Sequence, residues 1–124
     1  MIYLDTHVVV WLYAGLIEKF SEAVKALIND HELYISPIVR LELGYLQEIG
    51  RVTTESETII ADLSQRIGLK VSDEDFNLIV TQALPLSWTR DPFDRLIVAQ
   101  AARGDHVLLS KDQIILTHYP HARW

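Results

Sequence analysis

The chain of 124 residues has no cysteine, a single methionine, five glycines and four prolines, and its basic side chains are outnumbered, 11 Lys and Arg against 17 Asp and Glu. Each shortage excludes something. Without thiols there is no disulfide framework and no thiolate metal site, so any bound metal must take oxygen or imidazole ligands, and hard divalent ions are favoured. Few glycines and prolines, with no low-complexity tract or internal repeat, exclude collagen-like and disordered classes. No apolar run approaches the roughly 20 residues needed to span a bilayer, and no basic region with a cleavage site opens the chain, so the expected compartment is the cytoplasm. The net charge of −6 excludes a protein that grips nucleic acid through a uniformly basic surface. The distribution qualifies that exclusion: from Leu86 onward the balance is +1, and the first 85 residues carry −7. Acids gathered round a cation are locally neutral, and nearby arginines can still hold a polyanion.

What is present is a soluble-type composition, 49% hydrophobic and 23% charged, of a size for one domain over residues 1–124 with a single core. Short apolar runs alternate with helical periodicity. Ile2-Tyr3-Leu4 reads as a strand ending at Asp5, with Thr6 as the cap of a helix to about Tyr13. Ser21 caps a second helix to Ile28, and Leu33-Tyr34-Ile35 is a second strand. Ser36-Pro37 opens a helix to Ile49 that Gly50 closes. A helix from about Thr54 to Arg66, a brief strand Leu69-Lys70-Val71 and a helix capped by Ser72 and running to Ala83 follow. Asp91, Pro92 and Asp94 then supply cap, first turn and capping-box acid for a helix stopped by Gly104, and Val107-Leu108-Leu109 is a strand ending in Ser110-Lys111-Asp112. Beyond Asp112 come the apolar run Ile114-Ile115-Leu116 and a tail, His118 to Trp124, which reads as a last short strand or a surface cover.

Strands alternating with helices predict an α/β fold with a parallel sheet and right-handed crossovers, in which strand carboxyl ends and following helix starts share one edge. Asp5, Glu42, Asp94 and Asp112 all fall on that edge. Glu42 shares its helix face with Ile38, Tyr45, Leu46 and Ile49, and Asp94 with Ile97, Val98 and Ala101, so each acid is expected in an apolar stripe where it needs compensation. Several carboxylates together demand a counter-cation, and an all-oxygen donor set points to Mg²⁺ or Mn²⁺. Such a centre suits phosphodiester hydrolysis by activated water, with the N–H groups near Asp91 to Phe93 available to hold a phosphate.

The segments Met1-Ile2-Tyr3-Leu4-Asp5-Thr6, Ile35-Ser36-Pro37 with Glu42, Arg90-Asp91-Pro92-Phe93-Asp94-Arg95-Leu96-Ile97-Val98-Ala99-Gln100-Ala101, and Leu108-Leu109-Ser110-Lys111-Asp112 together resemble PIN-domain ribonucleases of the VapC toxin type. The resemblance spans nearly the whole chain, and the block from Arg90 is its most specific part. It implies a three-layer α/β/α fold with a short central parallel sheet. It also implies an acidic site of Asp5, Glu42, Asp94 and Asp112, in which Asp5, Asp94 and Asp112 hold Mg²⁺ or Mn²⁺. Thr6 and Ser110 become polar neighbours, RNA the substrate, a cognate antitoxin the partner, and a homodimer or toxin–antitoxin hetero-oligomer the assembly. Asp91 and Asp94 compete for the third acid position; the place of Asp94 after the proline favours it as ligand and Asp91 as cap.

Rival readings attach to particular residues. Asp-x-His after a first strand also opens some dinuclear metallophosphatases, which would make His7 a ligand, but their Gly-Asp and Asn-His motifs are absent. A phospho-accepting receiver module shares the length and acidic edge, yet requires an acid after a strand in the middle of the chain. A PIN-like domain kept only for partner binding would not need all four acids. Arg95, Lys111 and the three tryptophans are candidates for RNA contact, with surface charge and packing as their ordinary roles, and His118 and His121 read as surface residues.

Overall fold

A computed structural model describes residues 1–124. Five short parallel strands form one sheet in the order β3-β2-β1-β4-β5: β1 (Ile2–Leu4), β2 (Leu33–Ile35), β3 (Lys70–Val71), β4 (Val107–Leu109) and β5 (Ala122–Arg123). Seven helices flank it: α1 (Thr6–Ala14), α2 (Glu22–Asp30), α3 (Pro37–Glu48), α4 (Ser56–Ile67), α5 (Phe76–Ala83), α6 (Pro92–Ala102) and α7 (Gln113–His118). The chain starts in the middle, builds outward through β2 and β3, then returns to lay β4 on the other side of β1. That reversal makes the carboxyl end of the β1–β4 pair a topological switch point, the place where such sheets bind ligands. Right-handed crossovers send α1 to α4 to one face and α5 to α7 to the other, the expected three layers.

Two or three residues per strand suffice because each is buried by helices. Ile2, Leu4, Ile35, Leu108 and Leu109 are almost wholly inaccessible and anchor a continuous core of 23 residues. Register is fixed by parallel pairing on both sides of β1, with Tyr3 opposite Tyr34 on β2 and opposite Leu108 on β4.

Several local expectations change. Asp5, not Thr6, caps α1, and Asp75, not Ser72, caps α5, its carboxylate accepting the Asn77 N–H at 2.8 Å. Ser72 is instead buried, where its hydroxyl accepts from the Gln100 side-chain amide at 3.1 Å. The α4 helix starts at Ser56, two residues late, after Glu55. Helix α6 ends at Ala102, and the left-handed position falls on Asp105 (φ 52°) rather than Gly104. Gly104 packs under the His106 ring, which would have to swing aside for a Cβ at that position. Ile114-Ile115-Leu116 is helical, because Asp112 caps it and buries Ile115, and the tail supplies the edge strand β5. The apolar stripe assigned to Glu42 is not core: Val39 and Leu43 carry the buried side of α3, whereas Tyr45 and Ile49 are exposed.

Candidate active site

The first residue past β1 is Asp5, buried at 4% exposure. A carboxylate that deep must be hydrogen-bonded, and both its oxygens are: Oδ1 accepts the Thr6 N–H and Oδ2 the Ser110 hydroxyl, each at 2.7 Å. Ser110 follows the neighbouring strand β4 and is fully buried, and its Oγ also accepts the Asp112 N–H at 3.1 Å. One serine therefore couples two acids that lie more than a hundred residues apart in sequence.

The other acids are tethered by one oxygen each. Asp112 Oδ1 caps α7 through the Ile114 and Ile115 N–H groups at 2.8 and 3.1 Å. Asp91 Oδ1 caps α6 through Phe93 and Asp94 at 2.8 and 3.4 Å. The Thr6 hydroxyl donates to Glu42 Oε1, linking the start of α1 to the middle of α3. Helices α3 and α6 meet beyond the sheet edge, where the Tyr45 and Phe93 rings stack at 6.0 Å. The second oxygen of Asp91, Asp112 and Glu42 is uncommitted, and the Asp94 side chain has no hydrogen-bond donor at all.

A cleft of about 350 Å³ is lined by Asp5, Glu42, Asp91, Asp94 and Asp112. The four acids selected from the sequence thus share one hollow, and Asp91 makes a fifth while still serving as the cap. Their mutual repulsion is written into their protonation. Burial, then the charges of Asp91, Asp5, Asp112 and Glu42, push the Asp94 carboxyl up to about 7. Burial also raises Glu42, with Asp5 and Asp91 adding to the rise and the Thr6 hydroxyl opposing it. No cationic side chain offsets either shift.

This donor set fits a hard divalent cation: all-oxygen, uncompensated, with one free oxygen on most members. No three acidic or imidazole groups converge tightly enough to cage an ion by themselves. Mg²⁺ does not ask for that, since it keeps several waters and takes one or two carboxylates.

His7 lines the same cleft but is not placed as a ligand. Its Nε2 accepts the Lys111 backbone N–H at 2.8 Å, so the ring proton sits on Nδ1, which faces Asp5 Oδ2 at 3.6 Å. The ring straps the loop after β4 to α1. The N–H groups near Asp91 to Phe93 are not free for a phosphate either, because Asp91 Oδ1 occupies those of Phe93 and Asp94. The Arg95 guanidinium is committed to the Thr89 carbonyl at 2.8 Å. Trp88 stacks on His118 at 4.9 Å, and Trp124 packs on Phe20 at 5.4 Å. Of the tryptophans, Trp11 reaches the cleft wall. A receiver's mid-chain acceptor is missing: β2, β3 and β4 are each followed by a serine, Ser36, Ser72 and Ser110.

Sequence reasoning weighed Asp91 against Asp94 and favoured it as the cap alone, whereas both line the cleft; it passed over Arg51, which also lines it. The aspartate was legible as a cap, and the cap geometry leaves its second oxygen free. Arg51 carries no local signal, since its place depends on how the chain turns after α3.

Comparison with known proteins agrees with this architecture. The chain is 29% identical over 120 residues to ribonuclease VapC22 of Mycobacterium tuberculosis, covering 93% of this chain and 89% of that one. Its fold is similar to a chain of the VapBC2 complex of Rickettsia felis bound to a promoter DNA fragment, with a TM-score of 0.68 at 19% identity over 98% of this chain and 96% of that one. It is also similar to a chain of a toxin–antitoxin complex from Klebsiella pneumoniae, with a TM-score of 0.66 at 14% identity over 100% and 97% of the two chains. No helix is long and apolar enough to cross a membrane. Residues 2–120 match the PIN domain family model, and the chain belongs to that family.

Proposed function

We propose that this chain is a single-domain, Mg²⁺- or Mn²⁺-dependent endoribonuclease, the toxin of a toxin–antitoxin pair, acting on RNA in the cytoplasm. The observation that carries the reading is the convergence of Asp5, Glu42, Asp91, Asp94 and Asp112 on one cleft, where burial and the four neighbouring carboxylates raise the Asp94 carboxyl to about 7. A fold does not maintain such repulsion at a switch point unless a counter-charge arrives in use. The similarity to a ribonuclease and to toxin–antitoxin complexes supports the substrate class and the antitoxin partner, and either a homodimer or a toxin–antitoxin hetero-oligomer as the assembly.

In this mechanism Asp5, Asp94 and Asp112 hold the metal. When bound, the ion supplies Lewis-acid polarisation of the phosphate and acidification of water. The chain does the rest. Asp5 is fixed in direction by its two donors, and Ser110 keeps Asp112 in step with it. Asp94, with no donor of its own, would be free to turn an oxygen to the cation. Glu42, half-buried and with a raised carboxyl, has a free Oε2 to ligate, to orient the attacking water or to take its proton. The Thr6 hydroxyl holds Oε1 and so fixes which oxygen does this.

The test is incubation of the purified chain with total RNA. Cleavage dependent on Mn²⁺ or Mg²⁺, abolished by EDTA and by Asp5→Asn, is expected. Cleavage that persists in EDTA, or full activity of Asp5→Asn, overturns the reading.

A further inference from the structure

The acid cleft lacks the usual means of holding an anion. The three helix starts that border the cleft are each occupied by an aspartate of the chain itself: Asp5 on α1, Asp91 on α6 and Asp112 on α7. A phosphate therefore finds no open helix N-terminus there and must be held by side-chain cations.

The cations are sorted in a way that supplies them. Lys25, Arg40, Arg66, Lys70 and Arg103 are paired with Glu22, Glu57, Asp62, Glu32 and Glu74, and none of these residues lines the cleft. Arg95 and Arg123 spend their guanidinium groups on backbone carbonyls. Of the cations that remain, Arg51 lines the cleft itself, and Arg90 and Lys111 are the chain neighbours of two of its aspartates, Asp91 and Asp112. Arg51 is brought there by Gly50, whose left-handed φ of 78° reverses the chain after α3, and by the Arg51 N–H donating to the Leu46 carbonyl at 2.8 Å. Although it shares a cleft with five carboxylates, Arg51 makes no ion pair with any of them.

Resting on the ribonuclease reading above, we propose that Arg51 holds a backbone phosphate of the RNA strand beside the scissile bond, with Arg90 and Lys111 completing a cationic rim around the acid cleft. A guanidinium on the rim of a cleft filled with a divalent ion has phosphate as its natural partner, because it offers a planar fork of donors to two oxygens at once. The rim also reconciles polyanion binding with a net charge of −6.

The experiment is steady-state cleavage of a fluorogenic single-stranded RNA oligonucleotide in Mn²⁺, as a function of KCl, for wild type, Arg51→Ala, Arg51→Gln, Arg51→Lys and Arg66→Ala, with circular dichroism of each. Arg51→Ala is expected to raise KM about tenfold, the loss of one charge-assisted contact, with kcat changed less than about twofold. The logarithmic salt dependence should flatten by about 0.7, one phosphate contact on a single strand. Arg51→Lys should recover most of the loss in KM, and Arg66→Ala should behave as wild type. An unfolded spectrum for Arg51→Ala transfers the comparison to Arg51→Gln, which keeps the bulk and removes the charge, and a wild-type KM and salt dependence for that variant overturn the assignment. It is likewise overturned if Arg51→Ala matches wild type in KM and salt dependence, including the case in which it weakens only association with a protein partner. A wild-type chain that cleaves no RNA overturns the ribonuclease reading, and this assignment with it.

Discussion

In protein freed of metal, Asp94→Asn should stabilise the fold. The carboxyl rises from the ordinary value of 3.8 to about 7 on folding, so the folded chain holds that proton more tightly than the unfolded chain. Below the unfolded value both states are protonated and nothing is lost. As pH climbs towards the folded value the unfolded state ionises freely while the folded state resists, and stability falls until, above about 7, the whole penalty is present. The difference between the two values corresponds to about 4 kcal/mol, and solvent screening at this half-buried group reduces it to about 2 kcal/mol. Asparagine keeps the shape, removes the charge and forfeits no hydrogen bond, because the Asp94 side chain accepts none. At this chain length about 2 kcal/mol corresponds to a shift of roughly 8 °C in Tm. Thermal denaturation in EDTA should therefore show Asp94→Asn melting several degrees above wild type at pH 8, with the gap closing as the pH falls to about 4. Adding Mn²⁺ should raise the wild-type Tm at pH 8 and leave the variant almost unmoved. A variant that is no more stable than wild type at pH 8 without metal refutes the claim that these carboxylates repel one another.

Asp5→Asn should retain its circular dichroism spectrum and lose RNA cleavage by at least about a hundredfold, measured with the total-RNA assay under Mn²⁺. Ser110→Ala removes the donor to a buried carboxylate and the acceptor of the Asp112 N–H; a loss of about 1–3 kcal/mol in urea denaturation is expected, together with reduced cleavage. His7→Ala should weaken Mn²⁺ binding in calorimetric titration by no more than about 10–100-fold, the cost of losing an outer support, because it unstraps the Lys111 backbone from α1, whereas loss of a direct ligand should leave no measurable binding.

Much of this fold was open to reading because its punctuation is local. Ser21, Ser36, Asp91 and the strand-terminating Asp5 act on neighbours one to three residues away, and the chain's five parallel strands follow from short apolar runs set between such stops. The acids were legible for a related reason: in a parallel sheet, the end of a strand and the start of the next helix share an edge whatever the details. What escaped was decided across space. Ile114-Ile115-Leu116 has the β-branched look of a strand, yet the Asp112 cap and the burial of Ile115 make it a helix. Ser72 has the form of a cap, but the Gln100 amide reaches it first from α6. The stripe around Glu42 was real as a pattern and wrong as a core, because α3 buries Val39 and Leu43 and leaves Tyr45 at the surface. Arg51 and the His7 strap depend on meetings between segments that no spacing along the chain reveals.

The position of β1 at the hub of the sheet bears on how the protein is made. Its residues are synthesised before both hydrogen-bonded neighbours, β2 from Leu33 and β4 only from Val107. Asp5 waits for Ser110, and the cleft waits for Asp112. Pairing over such sequence distances is slow, since closing the loop precedes any reward for it. A chain still emerging from the ribosome that made it has no assembled cleft.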